Sequence, residues 1–170
     1  MARSPGISAR LLVGLAGILA TGLAAGCDTG STTTVSGQGT PIRYLALGDS
    51  YTIGTSVTQA ENFPTALAEK LRQLAGRPVS ITNLGVNGYT TRDLIRDELP
   101  RARPGEFDVV TVLIGVNDFV QGVPLAQYRT NLSSIYDSLV ALNLPHGRLV
   151  AVSVPDFSFT PTGASFGRPA

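Results

Sequence analysis

The order of apolar and polar positions along the chain predicts four β-strands that alternate with helices. Four short segments are apolar almost throughout, which is typical of strands covered on both faces of a sheet. These segments are residues 42–47, 79–84, 108–115 and 148–154. Between them, apolar residues recur every three or four positions, the spacing of one helical face. This alternation predicts an α/β fold of three layers, with a doubly wound parallel sheet between helices.

Three helices are predicted in the segments between these strands. Residues 64–76 are framed by a proline at the first position and a glycine at the last, as helices often are. A shorter helix over residues 91–99 is expected to stop at Pro100. The third covers residues 125–142, where apolar residues keep helical spacing over about five turns.

The first 26 residues read as a targeting segment rather than as part of the fold. Arg3 and Arg10 precede an apolar run over residues 11–26, which is short for a transmembrane span and ends in small residues. This is the pattern of a secretion signal. The only cysteine, Cys27, follows at once, and "LAAGC" resembles a bacterial lipobox. The resemblance implies lipidation of Cys27 and anchoring outside the cytoplasm; the alternative is an ordinary signal peptide with an incidental cysteine.

The residues between this cysteine and the first predicted strand are small and polar, without periodicity. Such a composition is typical of a flexible linker. The sequence therefore predicts three parts: a signal peptide over residues 1–26, a lipidated cysteine with a flexible tether over 27–40, and a domain over 41–170.

The charge of the chain is nearly balanced, with 13 basic and 12 acidic residues and a net charge of +1. A nucleic-acid partner would require a basic face, so this class of partner is not expected. Hydrophobic residues make up 43% of the chain, enough for the core of one domain.

Polar residues and glycines follow three of the predicted strands. Ser50 lies in "LGDSYTIG", Gly88 in "GVNGYT" and Asn117 in "GVND". The carboxyl ends of parallel strands meet at one edge of a sheet, so the three residues are expected to lie together. A serine hydroxyl can act as a nucleophile when a base removes its proton, and amide groups can stabilise an oxyanion. Taken singly, each residue has a simpler explanation as a helix cap or a turn.

The three blocks, in this order, resemble the SGNH hydrolase superfamily, also called the GDSL esterases and lipases. The resemblance covers residues 42–118. It implies ester hydrolysis through an acyl-enzyme, without a metal or another cofactor. Ser50 would be the nucleophile, and the backbone amides of Ser50 and Gly88, with the side chain of Asn117, would form the oxyanion hole. The adjacent acids, Asp49 and Asp118, are expected to be structural.

The fourth block of this superfamily, Asp-x-x-His, is missing from the 170 residues. The only histidine, His146, precedes the last predicted strand and is expected at the opposite edge of the sheet from Ser50. A strand spans about 17–20 Å, whereas a general base must come within about 3 Å. Asp156, after the last strand, is too acidic to be an efficient base. We therefore expect a chain truncated before its catalytic base, almost inactive by itself, whose last strand is an unpaired apolar edge.

Two alternatives stay open at this point. One is a non-catalytic lipoprotein on the same scaffold that binds a glycan or a lipid. The other is a flavodoxin-like binder whose phosphate loop would be "GDSYTIGTS". The expected partners of the main hypothesis are a small-molecule, lipid or glycan ester and the membrane that holds the lipid anchor, and the expected state is a monomer.

Overall fold

The computed structural model describes residues 31–36, 38–161 and 163–166. The predicted signal peptide and Cys27 lie outside these residues, so both remain predictions. Within the described part of the chain, no helix is long and apolar enough to cross a membrane.

The described residues form one five-stranded sheet with the strand order β1-β3-β2-β4-β5. The strands are β1 (Ser31–Val35), β2 (Ile42–Gly48), β3 (Val79–Asn83), β4 (Val109–Leu113) and β5 (Leu149–Ala151). β3, β2, β4 and β5 run parallel, as predicted, whereas β1 pairs with β3 in the antiparallel direction. The α/β fold is confirmed, and the sheet is mixed rather than wholly parallel.

The predicted flexible tether over residues 27–40 is wrong where β1 forms. Four of the five residues of β1 are β-branched, a side-chain type that suits strands. The register pairs Ser31 with Asn83 and Val35 with Val79, so β1 covers the edge of β3. An antiparallel edge strand can keep one face in water, so β1 carries no apolar run that would have revealed it.

Helices cover both faces of this sheet. They are α1 (Ser50–Ile53), α2 (Phe63–Ala75), α3 (Thr91–Asp93), α4 (Val116–Val120) and α5 (Leu125–Val140). α3 continues into a π-helical turn, Leu94–Glu98, and a 3-10 turn, Leu99–Arg101. Two further 3-10 turns, Phe157–Phe159 and Gly163–Phe166, follow β5.

The ends of α2 are where the sequence predicts them. Asn62 caps the first turn by accepting a hydrogen bond from the Thr65 N–H at 2.9 Å, and Gly76 ends the helix in the left-handed conformation. The helix predicted over 91–99 changes type along its length instead. Pro100 has no N–H to donate and lies in the 3-10 turn that ends it.

The core is divided by the sheet into two clusters, because successive side chains of β2 point to opposite faces. Leu45 and Leu47 pack with Ile135 of α5 on one face. Tyr44 and Ala46 pack with α2 on the other. Burying each large apolar side chain contributes about 1.5–3 kcal/mol to folding. Helices on both faces therefore hold β2 at the centre of the sheet and fix the loop that follows it.

Among the described residues, the strand β5 forms one edge of the sheet and pairs with β4 alone. It is three residues long, shorter than the predicted segment over 148–154. Its Val150 side chain is 42% exposed. The prediction that this strand is an apolar edge is confirmed.

Candidate active site

The chain turns sharply between β2 and α1 at Gly48, Asp49 and Ser50, which we call the serine turn. Gly48 has a φ of +145°, and a Cβ atom there would lie 2.0 Å from the carbonyl oxygen of Leu113. Only glycine fits this position. Asp49 caps α1 by accepting a hydrogen bond from the Tyr51 N–H at 3.0 Å. The interpretation of Asp49 as a structural residue of the turn agrees with this contact.

Ser50 is the first residue of α1 and is half-buried. Its carbonyl oxygen accepts hydrogen bonds from the N–H groups of Gly54 and Thr55, which close the short helix. Its hydroxyl makes no hydrogen bond within the described part of the chain. The backbone of Ser50 is thus held, while its hydroxyl is available to a ligand.

The two glycines of the loop after β3 have different surroundings. The N–H of Gly85 donates to the Asn83 side chain at 3.0 Å, and a Cβ there would collide with α1, 2.8 Å from the Ile53 nitrogen. Gly88 is exposed, has a φ of +80°, and has open space where a Cβ would be. Of these two glycines, Gly88 is the one whose N–H donates no hydrogen bond within the described part of the chain.

Asn117 lies in α4, directly after the loop that follows β4. Its side-chain Nδ2 donates to the carbonyl oxygen of Tyr89 at 2.9 Å. A side-chain amide carries two N–H hydrogens, so the second remains for a ligand. The contact with Tyr89 fixes the orientation of the amide group.

Hydrogen bonds join the three loops at the carboxyl edge of the sheet. The N–H of Val86 donates to the Gly48 carbonyl at 3.1 Å, and the Thr55 hydroxyl donates to the side-chain oxygen of Asn87. On the other side, Gln121 Nε2 donates to the Gly88 carbonyl at 3.0 Å. The loop with Gly88 is therefore joined both to the serine turn and to the loop with Asn117.

Asp118 is 2% exposed and connects α4 to the start of α3. Its Oδ2 accepts from the Thr91 N–H at 2.8 Å, and its Oδ1 accepts from the Thr91 hydroxyl at 2.5 Å. The Thr91 hydroxyl in turn accepts from Asn131 Nδ2 at 2.9 Å. The interpretation of Asp118 as structural is confirmed by these contacts.

A second buried acid, Glu98, lies under the serine turn and was not singled out from the sequence. It is 2% exposed, and its Oε2 accepts from the Gly48 N–H at 2.8 Å. Glu98 follows the fully buried Leu94 by four positions, so both lie on the same helical face. That spacing is the one sequence signal for its burial.

Glu98 and Asp49 both have raised pKa values. Burial raises the pKa of Glu98 to about 8, helped by the negative charge of Asp49. Burial also raises the pKa of Asp49 to about 6, against the hydrogen bond from Tyr51. One oxygen of each group, Asp49 Oδ2 and Glu98 Oε1, is buried without a hydrogen-bond partner in the described part of the chain.

The two remaining candidate bases lie elsewhere. His146 lies in the turn before β5. The carbonyl of Arg148, two residues later, accepts a hydrogen bond from the Val110 N–H at 2.8 Å, so this turn lies at the amino edge of β4. Asp156 accepts hydrogen bonds from the Ser158 N–H and hydroxyl and caps a 3-10 turn. Neither side chain is positioned by these contacts as a base for Ser50.

A cleft of about 420 Å³ lies beside the loop with Asn117. Phe119 and Phe157 contribute aromatic walls, with ring centroids 6.0 Å apart. Its other walls include Val116, Val123, Tyr128 and Val154. An apolar cleft of this volume next to the site suits a small organic group.

The model of the GDSL-like Lipase/Acylhydrolase family matches residues 46–169. The isoamyl acetate-hydrolyzing esterase 1 homolog of Bos taurus is 30% identical over 132 residues, 69% of this chain and 51% of that protein. The Mus musculus homolog is 31% identical over 124 residues, 66% of this chain and 47% of that protein. The chain thus spans about half the length of these relatives.

Solved structures agree with this match. The structure of AlinE4, an SGNH-hydrolase family esterase, superposes with a TM-score of 0.56 at 29% identity over 67% of this chain and 59% of AlinE4. TesA, at 21% identity, shares the fold with a TM-score of 0.57 over 73% of this chain and 67% of TesA. These matches favour the SGNH hydrolase hypothesis over the flavodoxin-like alternative. The chain belongs to the GDSL-like lipase/acylhydrolase family, within the SGNH hydrolase superfamily.

Proposed function

We propose that the chain carries the nucleophile and the oxyanion hole of a serine ester hydrolase. The observation that supports this most is the meeting of three loops at one edge of the sheet. Each offers one uncommitted group: the hydroxyl of Ser50, the amide of Gly88 and the second N–H of Asn117.

In this proposal, the Ser50 Oγ attacks the carbonyl carbon of an ester, and the bond from that carbon to the alcohol oxygen breaks. The acyl group stays on Ser50 until water hydrolyses the new ester. Negative charge on the carbonyl oxygen is stabilised by the amides of Ser50 and Gly88 and by the Asn117 side chain. Removal of one such donor lowers kcat by about 10²–10³-fold in comparable enzymes.

The proton of Ser50 requires a base, and the 170 residues contain a single histidine, at the opposite edge of the sheet. We therefore expect slow hydrolysis by this chain alone. An oxyanion hole without its base still leaves measurable catalysis. A small base supplied from solution should increase the rate if Ser50 is the nucleophile.

The test is hydrolysis of p-nitrophenyl acetate by the purified chain with and without added imidazole. We expect imidazole to accelerate hydrolysis by the wild type beyond its own background, and Ser50→Ala to remove this increment. Ser134→Ala, which changes a serine on the exposed side of α5, is the matched control and should behave as wild type. Equal rates for Ser50→Ala and wild type would refute the assignment.

The second candidate is a binding protein on the same scaffold, and the apolar cleft beside Asn117 favours it. Such a protein would hold an ester or a lipid without turning it over. Binding of an ester analogue that survives Ser50→Ala, with no imidazole-dependent hydrolysis in wild type, would support this candidate over the esterase.

The proposed substrates are esters of short acyl chains. The curated relatives are named for hydrolysis of isoamyl acetate, which has a two-carbon acyl group. The cleft of about 420 Å³ lies toward the small end of ligand sites, which span about 300–1,000 Å³. A series of p-nitrophenyl esters of increasing acyl length would test this, with a falling rate expected for long chains.

We further propose that Cys27 anchors the chain to a membrane outside the cytoplasm. Such an anchor would place the carboxyl edge of the sheet near the membrane, because Ser31 pairs with Asn83 at the carboxyl end of β3. Four residues span at most about 14 Å, so a lipid on Cys27 would hold the edge with Ser50 close to the membrane surface. Membrane fractionation of wild type and Cys27→Ser tests the anchor, and release of only the variant is expected.

A further inference from the structure

Two acidic side chains lie buried against the serine turn from different elements. Asp49 is part of the turn and is 0% exposed, and Glu98 reaches it from the π-helical turn after α3. Each makes one backbone contact: Asp49 with the Tyr51 N–H, and Glu98 with the Gly48 N–H. The two acids therefore bind the backbone before and after Ser50, at Gly48 and at Tyr51.

The hydrogen bonds of these acids are incomplete. A carboxylate has two oxygens that accept hydrogen bonds, yet Asp49 Oδ2 and Glu98 Oε1 are buried and unpartnered in the described part of the chain. Burial without partners is costly for a charged oxygen and much less so for a protonated one. The geometry thus favours the presence of a proton.

The surrounding charges add to this effect. Asp49 and Asp97 place negative charge near Glu98, against a single opposing positive charge, Arg101. Asp118 places further negative charge near Asp49. Two acids close together in a poorly solvated site cannot both ionise without a large penalty, so their titrations are coupled.

We propose that Glu98 is a positioning residue for the nucleophile and that the pair of Asp49 and Glu98 holds one proton at neutral pH, which keeps the serine turn in place. The role in catalysis rests on the proposed function, whereas the single proton on the pair does not. At neutral pH Asp49 carries the charge and Glu98 the proton, as their pKa values of about 6 and about 8 indicate.

Loss of the proton from Glu98 has two effects on the turn. The contact from Glu98 to the Gly48 N–H becomes charge-assisted and shorter, while repulsion moves the Asp49 carboxylate away from Glu98. Gly48 and Asp49 are adjacent, so these opposite displacements deform the segment that carries Ser50. The amides of Gly48 and Tyr51 report the two contacts separately.

The test is an NMR titration of the uniformly ¹⁵N- and ¹³C-labelled chain between pH 5 and 9.5. We expect the Gly48 amide to shift with a midpoint at about 8. The Tyr51 amide should shift in two steps, at about 6 and about 8, because it senses both protons through Asp49. A Gly48 amide that does not shift between pH 7 and 9 would overturn the proposal.

The matched variants are Glu98→Gln and Glu106→Gln. Glu98→Gln keeps an oxygen for the Gly48 N–H but cannot ionise, so the step at about 8 should vanish from both amides. Glu98 is neutral while Asp49 titrates, so the Asp49 midpoint should stay at about 6 in this variant. Glu106 is on the surface, 3.7 Å from Arg103, and its replacement should change neither amide. In Asp49→Asn, whose side-chain oxygen can still accept from the Tyr51 N–H, the Gly48 midpoint should fall below 8, because Glu98 loses a neighbouring negative charge. A Gly48 midpoint that stayed at about 8 in Asp49→Asn would contradict coupling.

If Glu98→Gln does not fold, the wild-type titration decides alone, because the two-step shift of the Tyr51 amide requires the second acid. None of these measurements uses ester hydrolysis. Coupled titration together with an inactive Ser50 would refute the esterase and support the singly protonated pair of Asp49 and Glu98. An active Ser50 without coupling would support the esterase and refute the singly protonated pair.

Discussion

Two buried acid sites at the carboxyl edge of the sheet differ in how completely they are hydrogen-bonded. Asp118 receives two hydrogen bonds from Thr91, one to each oxygen. Asp49 and Glu98 each keep one buried oxygen without a partner. All three are almost fully buried, so burial alone does not explain the difference. The difference lies in the N–H and O–H donors that the surrounding residues supply, which reach both oxygens of Asp118 but only one oxygen of Asp49 and of Glu98.

The two sites also join different parts of the edge. Asp118 fastens the segment with Asn117 to the start of α3, and Glu98 fastens the end of the same helical segment to the serine turn. The helical segment after β3 is thus bound at both ends to the loops that carry the candidate catalytic residues. The link through Glu98 depends on an acid whose pKa burial raises to about 8, so it is expected to change with pH in the neutral range.

The largest expected effect is on the pH dependence of stability. The folded-state pKa of Glu98, about 8, lies above its ordinary value of 4.5, so its stabilising contribution is complete below about pH 4.5 and is lost as the pH rises through 8. Asp49 contributes in the same direction as the pH rises through about 6. At about 1.4 kcal/mol per pKa unit, the free energy of unfolding should fall by on the order of 3–5 kcal/mol from pH 5 to 9.

Urea denaturation of wild type and Glu98→Gln at several pH values measures this effect. The variant should lose most of the decline between pH 5 and 8, the range in which only the folded state keeps the proton of Glu98, because glutamine does not titrate. A wild-type stability that is constant over this range would remove the contrast between the two acid sites.

The next effect concerns the fully bonded site. Asp118→Ala leaves the buried Thr91 N–H without its acceptor, and we expect a loss of about 3 kcal/mol in the free energy of unfolding. Asp137→Ala, an exposed position on α5, is the control and should change stability by less than about 0.5 kcal/mol. A loss in Asp118→Ala no larger than in this control would show that the link from Asp118 to Thr91 does not stabilise the fold.

The smallest expected effect is a difference in stability between two glycine variants. It tests whether the serine turn, beside the incompletely hydrogen-bonded acids, is held by close packing. A Cβ on Gly48 would collide with the Leu113 carbonyl, whereas a Cβ on Gly88 would meet open space, although both residues have positive φ. Gly88→Ala should cost about 1 kcal/mol for backbone strain alone, and Gly48→Ala about 2 kcal/mol more for overpacking. Thermal or urea unfolding of the two variants measures the difference. Equal losses would indicate that the serine turn relaxes freely.

Much of the fold could be predicted from the pattern of apolar residues. The four parallel strands and α2 and α5 lie where runs and helical spacing predict them, because each must bury one face or two. Strand β1 could not be predicted this way, since its threonines bury little and its pairing with β3 exists only in the folded sheet. Strand β5 is shorter than its apolar run predicts, because only three of its residues find partners on β4.

The family, the order of the three blocks and the groups that could meet at the carboxyl edge all follow from the amino-acid sequence. These features depend on residue type and on spacing along the chain, and the alternation of strands and helices places the blocks at one edge of the sheet. The folded structure was needed to show that Gly85 is a packing residue while Gly88 has room for a Cβ, and that Glu98 lies under the serine turn. These features depend on distances between residues far apart in sequence and on the loss of solvent around them. Neither can be read from the spacing of residues along the chain.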